Sequence, residues 1–435
     1  MKKSLPTVTV VLEKIVGGGQ ALGTLDDGRK LFVWGGLPDE EVRVQFTKKK
    51  SSYAEGFVVE VLKASPDRVH PKDPESFLST SPWQIMNLAI EQRYKAALIE
   101  EAFELHDIVL PNPIEMYTDG KEYEYRNKVE FSWYGEVDET TGNEVLSLAF
   151  FRRGSKGKVP VETSALLPDE IIRTAHAVRD LLYSKGIQAR TLKTLLIRSN
   201  AKGECAWQLY IKDDEPSILT EAEAASIPAQ GGEVIFSNPK SPASVITERL
   251  LTVGTTTLTD ELLGVQFRYA TEGFFQVNIP VYEQALRDMR TWVVPDKPTV
   301  DMYSGVGSIG LTIGGEATTL VEINEHAVRE MKRNITELGR KAKPVLAASE
   351  NALQYISSEA TIIVDPPRAG LHEAVIERLL SQKPERIIYL SCNPVTQARD
   401  VARLAEVYGI KAHQGYNFFP HTPHIEHLVI LDKRP

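Results

Sequence analysis

The first 66 residues are written mostly in a period of two. Runs such as "EVRVQF" and "GFVVEVL" alternate apolar and polar positions, the pattern of half-buried strands. Gly-rich and acidic turns ("GGGQALG", "DDG", "LPDEE") separate the strand-like runs, so residues 1–66 predict a small OB-like β-barrel. A proline-punctuated connector, "KASPDRVHPKDPE", follows, and then helical periodicity over residues 89–106. From about 122 to 270 the pattern returns to strands ("YRNKVEFSWY", "LSLAFFRR", "CAWQLYIK", "EVIFSN"), interrupted by a helix around "PDEIIRTAHAVRDLLYSKG". Residues 67–270 thus predict a central β-rich domain, with the helix near 89–106 packing on the part that follows. In residues 271–435 short apolar runs ("PTVDMY", "ATTLVEI", "TIIVDPP", "RIIYLSC", "HLVILD") alternate with helical segments, which predicts an α/β, Rossmann-like, mostly parallel sheet.

At 435 residues the chain is long enough for two or three cores. Two cysteines exclude a disulfide scaffold and any four-cysteine metal or iron–sulfur site. Glu13 and Lys14 interrupt the first apolar run, so no signal peptide is read there, and a cytoplasmic, monomeric protein is expected. A net charge of −9 argues against coating nucleic acid non-specifically but leaves room for local basic patches.

Ligands of such sheets bind beyond the carboxyl ends of the strands, and the chemistry-bearing residues collect there. "VDMYSGVGSIGL" reads as a strand ending in an Asp-containing segment, after which Gly305 and Gly307 open a helix, a turn that lets backbone approach a ligand. About twenty residues on, Glu322 ends the next strand, placed to accept from a ribose diol. No third glycine completes a dinucleotide fingerprint, which favours S-adenosylmethionine over NAD. Asp365 precedes Pro366-Pro367-Arg368, whose two prolines fix the backbone. Cys392 ends the following strand, and Glu426 precedes the last one. His421, His424 and His427 near Glu426 do not have convincing metal spacing, and no metal is expected. A thiol nucleophile with a carboxylate base is the pair that chemistry at C5 of a pyrimidine requires.

The motifs "VDPPRAGL", "LSCNPVTQARD", "FFPHTPHIE", "YRNKVEFS" and "GFFQVN" together resemble those of the RNA uracil-C5 methyltransferases, which form 5-methyluridine in 23S rRNA and tRNA. The resemblance runs over nearly the whole chain, and the N-terminal barrel is similar to a TRAM domain, an RNA-binding module. It implies Cys392 as nucleophile and Glu426 as the base that removes the C5 proton. It implies a pocket for S-adenosylmethionine lined by Gln276, Tyr303, Gly305, Gly307, Glu322 and Asp365, with Asp365 also near the uracil. Asn351 is a weaker match on the adenine side, where Glu350 is the alternative, and Ser308 stands where the family often has Asn. Expected RNA contacts are a basic loop, Lys48, Lys49 and Lys50, together with Arg126, Lys128, and Arg152 and Arg153 of "FRRGSKGK". The base must leave its stack to reach a sheet edge, so a loop or bulge of RNA is the expected substrate. Many TRAM-bearing members hold a 4Fe–4S cluster before the first long helix. The matching stretch here, "HPKDPESFLSTSPWQIM", has no cysteine, so no cluster is expected and packing around Phe77 and Trp83 takes its place. Cys205 reads as a core residue.

23S rRNA is the favoured substrate and tRNA the alternative. A cytosine-C5 methyltransferase commonly carries a Pro-Cys pair, absent here, and an amino-group methyltransferase favours an aromatic after "DPP", where Arg368 stands. From another class, an inactive TRAM-type RNA-binding protein remains, at odds with keeping Cys392, Glu426, Asp365 and Gln276.

Overall fold

The computed structural model describes residues 6–155, 157–213 and 218–435. Strands Thr7–Ile15, Ala21–Thr24, Lys30–Trp34, Glu41–Lys49 and Tyr53–Lys63 close a barrel in the order first, second, third, fifth, fourth. The inward positions of the alternating runs, among them Leu12, Leu31, Val33, Val42, Val44 and Ala54, are buried and fill it. A seven-stranded sheet spans the central part, with the helix Asp169–Ser184 packed on it through Ile171, Ala175, Val178 and Leu182. Cys205 is buried in that core.

The third layer is an eight-stranded sheet. Its order is Lys343–Leu346, Thr318–Glu322, Thr299–Met302, Thr361–Val364, Arg386–Ser391, Glu426–Lys433, Tyr408–Tyr416 and Met116–Tyr117. The first five run parallel and Glu426–Lys433 is antiparallel to its neighbours. Strand order reverses between Thr299–Met302 and Thr361–Val364, the place where such sheets open a crevice for ligands. The antiparallel strand has a consequence for the site, because it brings the start of one strand to the same edge as the ends of the others. The hairpin Thr257–Leu262/Val265–Ala270 packs Leu258, Leu262, Phe267 and Tyr269 into one core with Leu286, Leu311 and Leu320 of the C-terminal layer.

The helix Leu88–Glu104 is capped by Asn87, whose side chain accepts from the Ile90 amide, and it packs against the helix Pro394–Leu404. The cysteine-free stretch before it is held by hydrogen bonds as much as by packing. Trp83 is buried, donates its indole N–H to the Gly19 carbonyl of the barrel (2.9 Å) and its backbone N–H to the His421 carbonyl (3.1 Å). The Gln84 amide donates to Asp73 (2.9 Å) and Ser81 (2.7 Å), and Asp73 accepts from the Ala165 amide (3.0 Å). Phe77 is only partly buried, so Trp83 and this polar lattice, rather than a cluster around Phe77, tie the stretch together. Among the described residues no helix is long and apolar enough to cross a membrane.

Candidate active site

Register places the key residues. Met302 lies opposite Val321 and Val364, so Tyr303, Glu322 and Asp365 leave three neighbouring strands side by side. Ser391 pairs with His427, so the next step of the same ladder sets Cys392 beside Glu426. Tyr303 has a φ of 69° and His421 one of 62°, a left-handed conformation that costs non-glycine residues energy and clusters at working sites. Gly305 and Gly307 also take positive φ (56° and 89°), and a side chain on Gly305 would meet nothing, so open space faces that turn.

Glu322 sits beneath the turn. One carboxylate oxygen accepts from the Gly305 amide (2.9 Å) and the other from the Asn324 amide (2.7 Å), which fixes the group while leaving lone pairs for hydroxyl donors. Asp301 of the strand Thr299–Met302 accepts from the Gly310 amide (2.8 Å) and is pushed up to about 8, chiefly by burial, with the charges of Asp365 and Glu322 adding to it. Burial likewise pushes Asp365 up to about 7. Carboxylates this close favour a ligand with positive charge. The sulfonium and ammonium of S-adenosylmethionine fit that field, whereas the pyrophosphate of a dinucleotide would be repelled. Gln276 is buried, Asn351 is exposed on a short 3₁₀ turn beside Glu350, and Ser308 shares a hydrogen bond with the Tyr282 hydroxyl (2.9 Å).

Two of the quoted motifs turn out to be physically joined. The Asn127 amide donates to the Gln276 carbonyl (3.2 Å), the Lys128 ammonium to the Glu272 carbonyl (3.2 Å), and the Tyr125 hydroxyl to the Pro420 carbonyl (2.9 Å). The buried Arg198 guanidinium donates to the carbonyls of Gly273 (2.5 Å) and Phe275 (2.8 Å). "YRNK" therefore brackets both the segment carrying Gln276 and the loop leading to Glu426.

Lys128, an expected RNA contact, is thus partly buried with its ammonium on a backbone carbonyl, and burial lowers it to about 8. Lys48 and Lys49 do not form a free loop either, because they close a strand. Lys48 pairs with Glu55 (2.9 Å) and Lys49 lies 3.9 Å above the Phe46 ring, while Lys50 begins the exposed turn. Arg153 donates to the Leu78 carbonyl (2.7 Å) and lies 4.3 Å over Trp34, while Arg152 is exposed. Lys156 of the same segment falls outside the described residues. Arg126 and Arg153 nevertheless lie near the catalytic edge. Burial first, then the charges of Arg368, Lys95, Arg126 and Arg153, push His424 down to about 4. Arg368 donates to Nδ1 of that ring (3.2 Å).

The thiol of Cys392 is half-buried and pushed up to about 11, by burial first and then by Glu426 and Asp365, with Arg368 pulling the other way. Glu426 is buried and held well above the carboxylate range by burial and by Asp365, which Arg368 and Lys95 oppose. The three groups thus lie in one another's field. At pH 8 a thiol at about 11 is thiolate to about one part in a thousand. Alkylation of Cys392 by iodoacetamide should therefore climb about tenfold per pH unit between pH 7 and 9, a slope to be read from peptide mass spectra. A plateau already at neutral pH would mean that the thiol is preformed as thiolate.

The sequence pattern passed over Glu91 and Lys95, both fully buried on the helix Leu88–Glu104. Lys95 pairs with Glu91 (2.8 Å) and donates to Asn417 Oδ1 (2.7 Å) and to the Phe419 carbonyl (3.1 Å). Glu91 accepts from the Asn417 side chain (2.9 Å) and the His421 amide (2.7 Å). A basic and an acidic residue four apart on a helix usually mark a solvated face, and only the partners show otherwise.

Residues 352–434, which carry Asp365, Cys392 and Glu426, match the family model described as tRNA (Uracil-5-)-methyltransferase. The chain is 26% identical to an uncharacterized RNA methyltransferase of Fusobacterium nucleatum, over 100% of this chain and 97% of the other. It is 27% identical to an uncharacterized RNA methyltransferase of Lactiplantibacillus plantarum over 100% of both. Among solved structures, the tRNA (uracil-54, C5)-methyltransferase of Pyrococcus abyssi, in complex with S-adenosyl-L-homocysteine, superposes with a TM-score of 0.78. The match covers 98% of this chain and 100% of that one at 21% identity, a likeness of fold.

Proposed function

We propose that this chain, a member of the RNA uracil-C5 methyltransferase family, methylates C5 of a uridine in 23S rRNA with Cys392 as nucleophile and Glu426 as base. The observation that carries the reading is the placement of Cys392 beside Glu426 on two antiparallel strands, with Asp365 in their common field.

The chemistry follows from what uracil lacks. C5 is too weak a nucleophile to take a methyl group unaided. The Cys392 thiol gives its proton to Asp365, whose proton affinity burial raises, which leaves Glu426 as the carboxylate, and the sulfur adds to C6. The C5–C6 electrons move toward the ring carbonyl, and C5 becomes an enolate carbon. S-adenosylmethionine, when bound, supplies the electrophilic methyl group, and Glu322, Gln276, Tyr303 and the Gly305–Gly307 turn are the residues that would hold it. Glu426 as carboxylate then takes the C5 proton, the ring double bond reforms, and the C6–S bond breaks to release Cys392 as thiolate, which recovers the proton from Asp365 while Glu426 gives its own to solvent. Buried and among other carboxylates, Glu426 is a stronger base than a solvated glutamate.

The TRAM-like barrel supports ribosomal RNA as substrate. The whole-length likeness of fold to the Pyrococcus abyssi tRNA enzyme supports tRNA as the second reading. Either substrate has to present an unstacked uridine, because Cys392 lies at a sheet edge that a paired base does not reach. Incubation with methyl-labelled S-adenosylmethionine and unmodified 23S rRNA or tRNA transcripts, followed by nucleoside analysis, decides between them. Labelled 5-methyluridine in 23S rRNA is the expected result. Label in tRNA would move the substrate and keep the chemistry. Neither RNA labelled, with RNA still bound, would leave an RNA-binding protein.

A further inference from the structure

The barrel and the central sheet meet at a cavity of about 160 Å³ that the methyl-transfer chemistry does not use. Trp34 and Phe57 of the barrel line it with Arg152 and Arg153, which follow the central-sheet strand Glu144–Phe151, and Glu55 and Glu75 are also on its wall. Its size is telling, since an apolar cavity of about 150 Å³ takes up one benzene ring and larger organic ligands need several hundred. This space suits one flat ring system of nucleobase size.

The lining says which ring. An aromatic pair and guanidinium groups stack on bases of any sequence. Arg153 is already fixed over Trp34 at 4.3 Å by its bond to the Leu78 carbonyl, so this part of the wall is set before anything binds. The two carboxylates argue against a phosphate inside. Glu55 is paired with Lys48, whereas exposed Glu75 has no ion-pair partner among the described residues and is free to accept N–H donors. Guanine carries two such donors side by side, N1–H and the N2 amino group, which one carboxylate can take together. Arg153 is also close enough to influence His424 beside the catalytic edge, so one strand of RNA can serve both places.

We infer that this cavity is a second nucleobase site, which takes one unstacked base of the RNA substrate, guanine by preference, away from the uridine that is methylated. The inference rests on the reading of the chain as an RNA methyltransferase.

The test uses the full chain and whichever of the two transcripts it methylates. Trp34→Ala should raise Kd for that transcript about tenfold, the loss of one stacked base. Glu75→Gln, an exposed substitution that should leave the fold intact, should raise it about threefold. In both, affinity for S-adenosylmethionine and kcat at saturating RNA should stay at the wild-type level. The salt dependence of binding should not change, because no phosphate contact is lost. Unchanged Kd values in both variants would overturn the site alone, as would tighter binding by Glu75→Arg, the mark of a phosphate there. A wild-type chain that methylates neither RNA would overturn the underlying reading, and this one with it.

Discussion

Glu426→Gln is expected to stop turnover after the sulfur has bonded to the base, so that enzyme and RNA accumulate as a covalent adduct. Glutamine fills the same space but takes no proton from C5, and a positioned base of this kind is worth about 10²–10⁴ in rate. The adduct should run as a slow RNA band on a denaturing gel in the presence of S-adenosylmethionine. Cys392→Ala should show neither methylation nor the band, and the double variant should behave like Cys392→Ala. Normal turnover in Glu426→Gln, or a band that survives loss of Cys392, would refute the assignment. The burial of Glu426 makes the outcome sharper, because little solvent is at hand to replace the missing carboxylate.

Most of this site was legible because strand ends in a parallel sheet share an edge. Asp365, Cys392 and Glu322 each close an apolar run, and only the order of the strands was needed to bring them together. Glu426 required one more fact, that its strand runs the other way, which the pattern "HLVILD" does not reveal. The surroundings of the basic residues were not legible, for a physical reason. A lysine or arginine has a long stem and many donors, so its charge says little about where its head ends up. Lys128 reaches a carbonyl, Lys48 pairs with Glu55, Lys49 lies over Phe46 and Arg153 over Trp34, leaving Arg126, Arg152 and Lys50 as the basic residues of that set without such a side-chain partner among the described residues. The hairpin at 257–270 was likewise placed by alternation with the central strands, whereas its Phe267 and Tyr269 fill the C-terminal core. Alternation identifies strands but not the layer they pack on.

Lys95 carries the second large expected effect. It and Glu91 are fully buried, and together they hold Asn417, Phe419 and His421, the loop that runs into Glu426. Taking one charge from a buried pair leaves the other without compensation, at a cost of about 3–5 kcal/mol. Lys95→Met should accordingly lower the thermal midpoint by several degrees, and kcat should fall while affinity for S-adenosylmethionine holds, because the loop and not the glycine turn is released. The double substitution Glu91→Gln, Lys95→Met removes both charges and should regain part of the lost stability. It should not regain the rate to the same extent, since the Lys95 charge also opposes the rise of Glu426 and favours its carboxylate form. A Lys95→Met chain that melts and turns over like the wild type would mean that Glu91, Tyr125 and Trp83 hold the loop without the Lys95 charge. The cysteine-free stretch and this helix reach the same loop from two sides, through the Trp83 amide at His421 and the Lys95 ammonium at Phe419, so the hold on Glu426 is built from ordinary side chains.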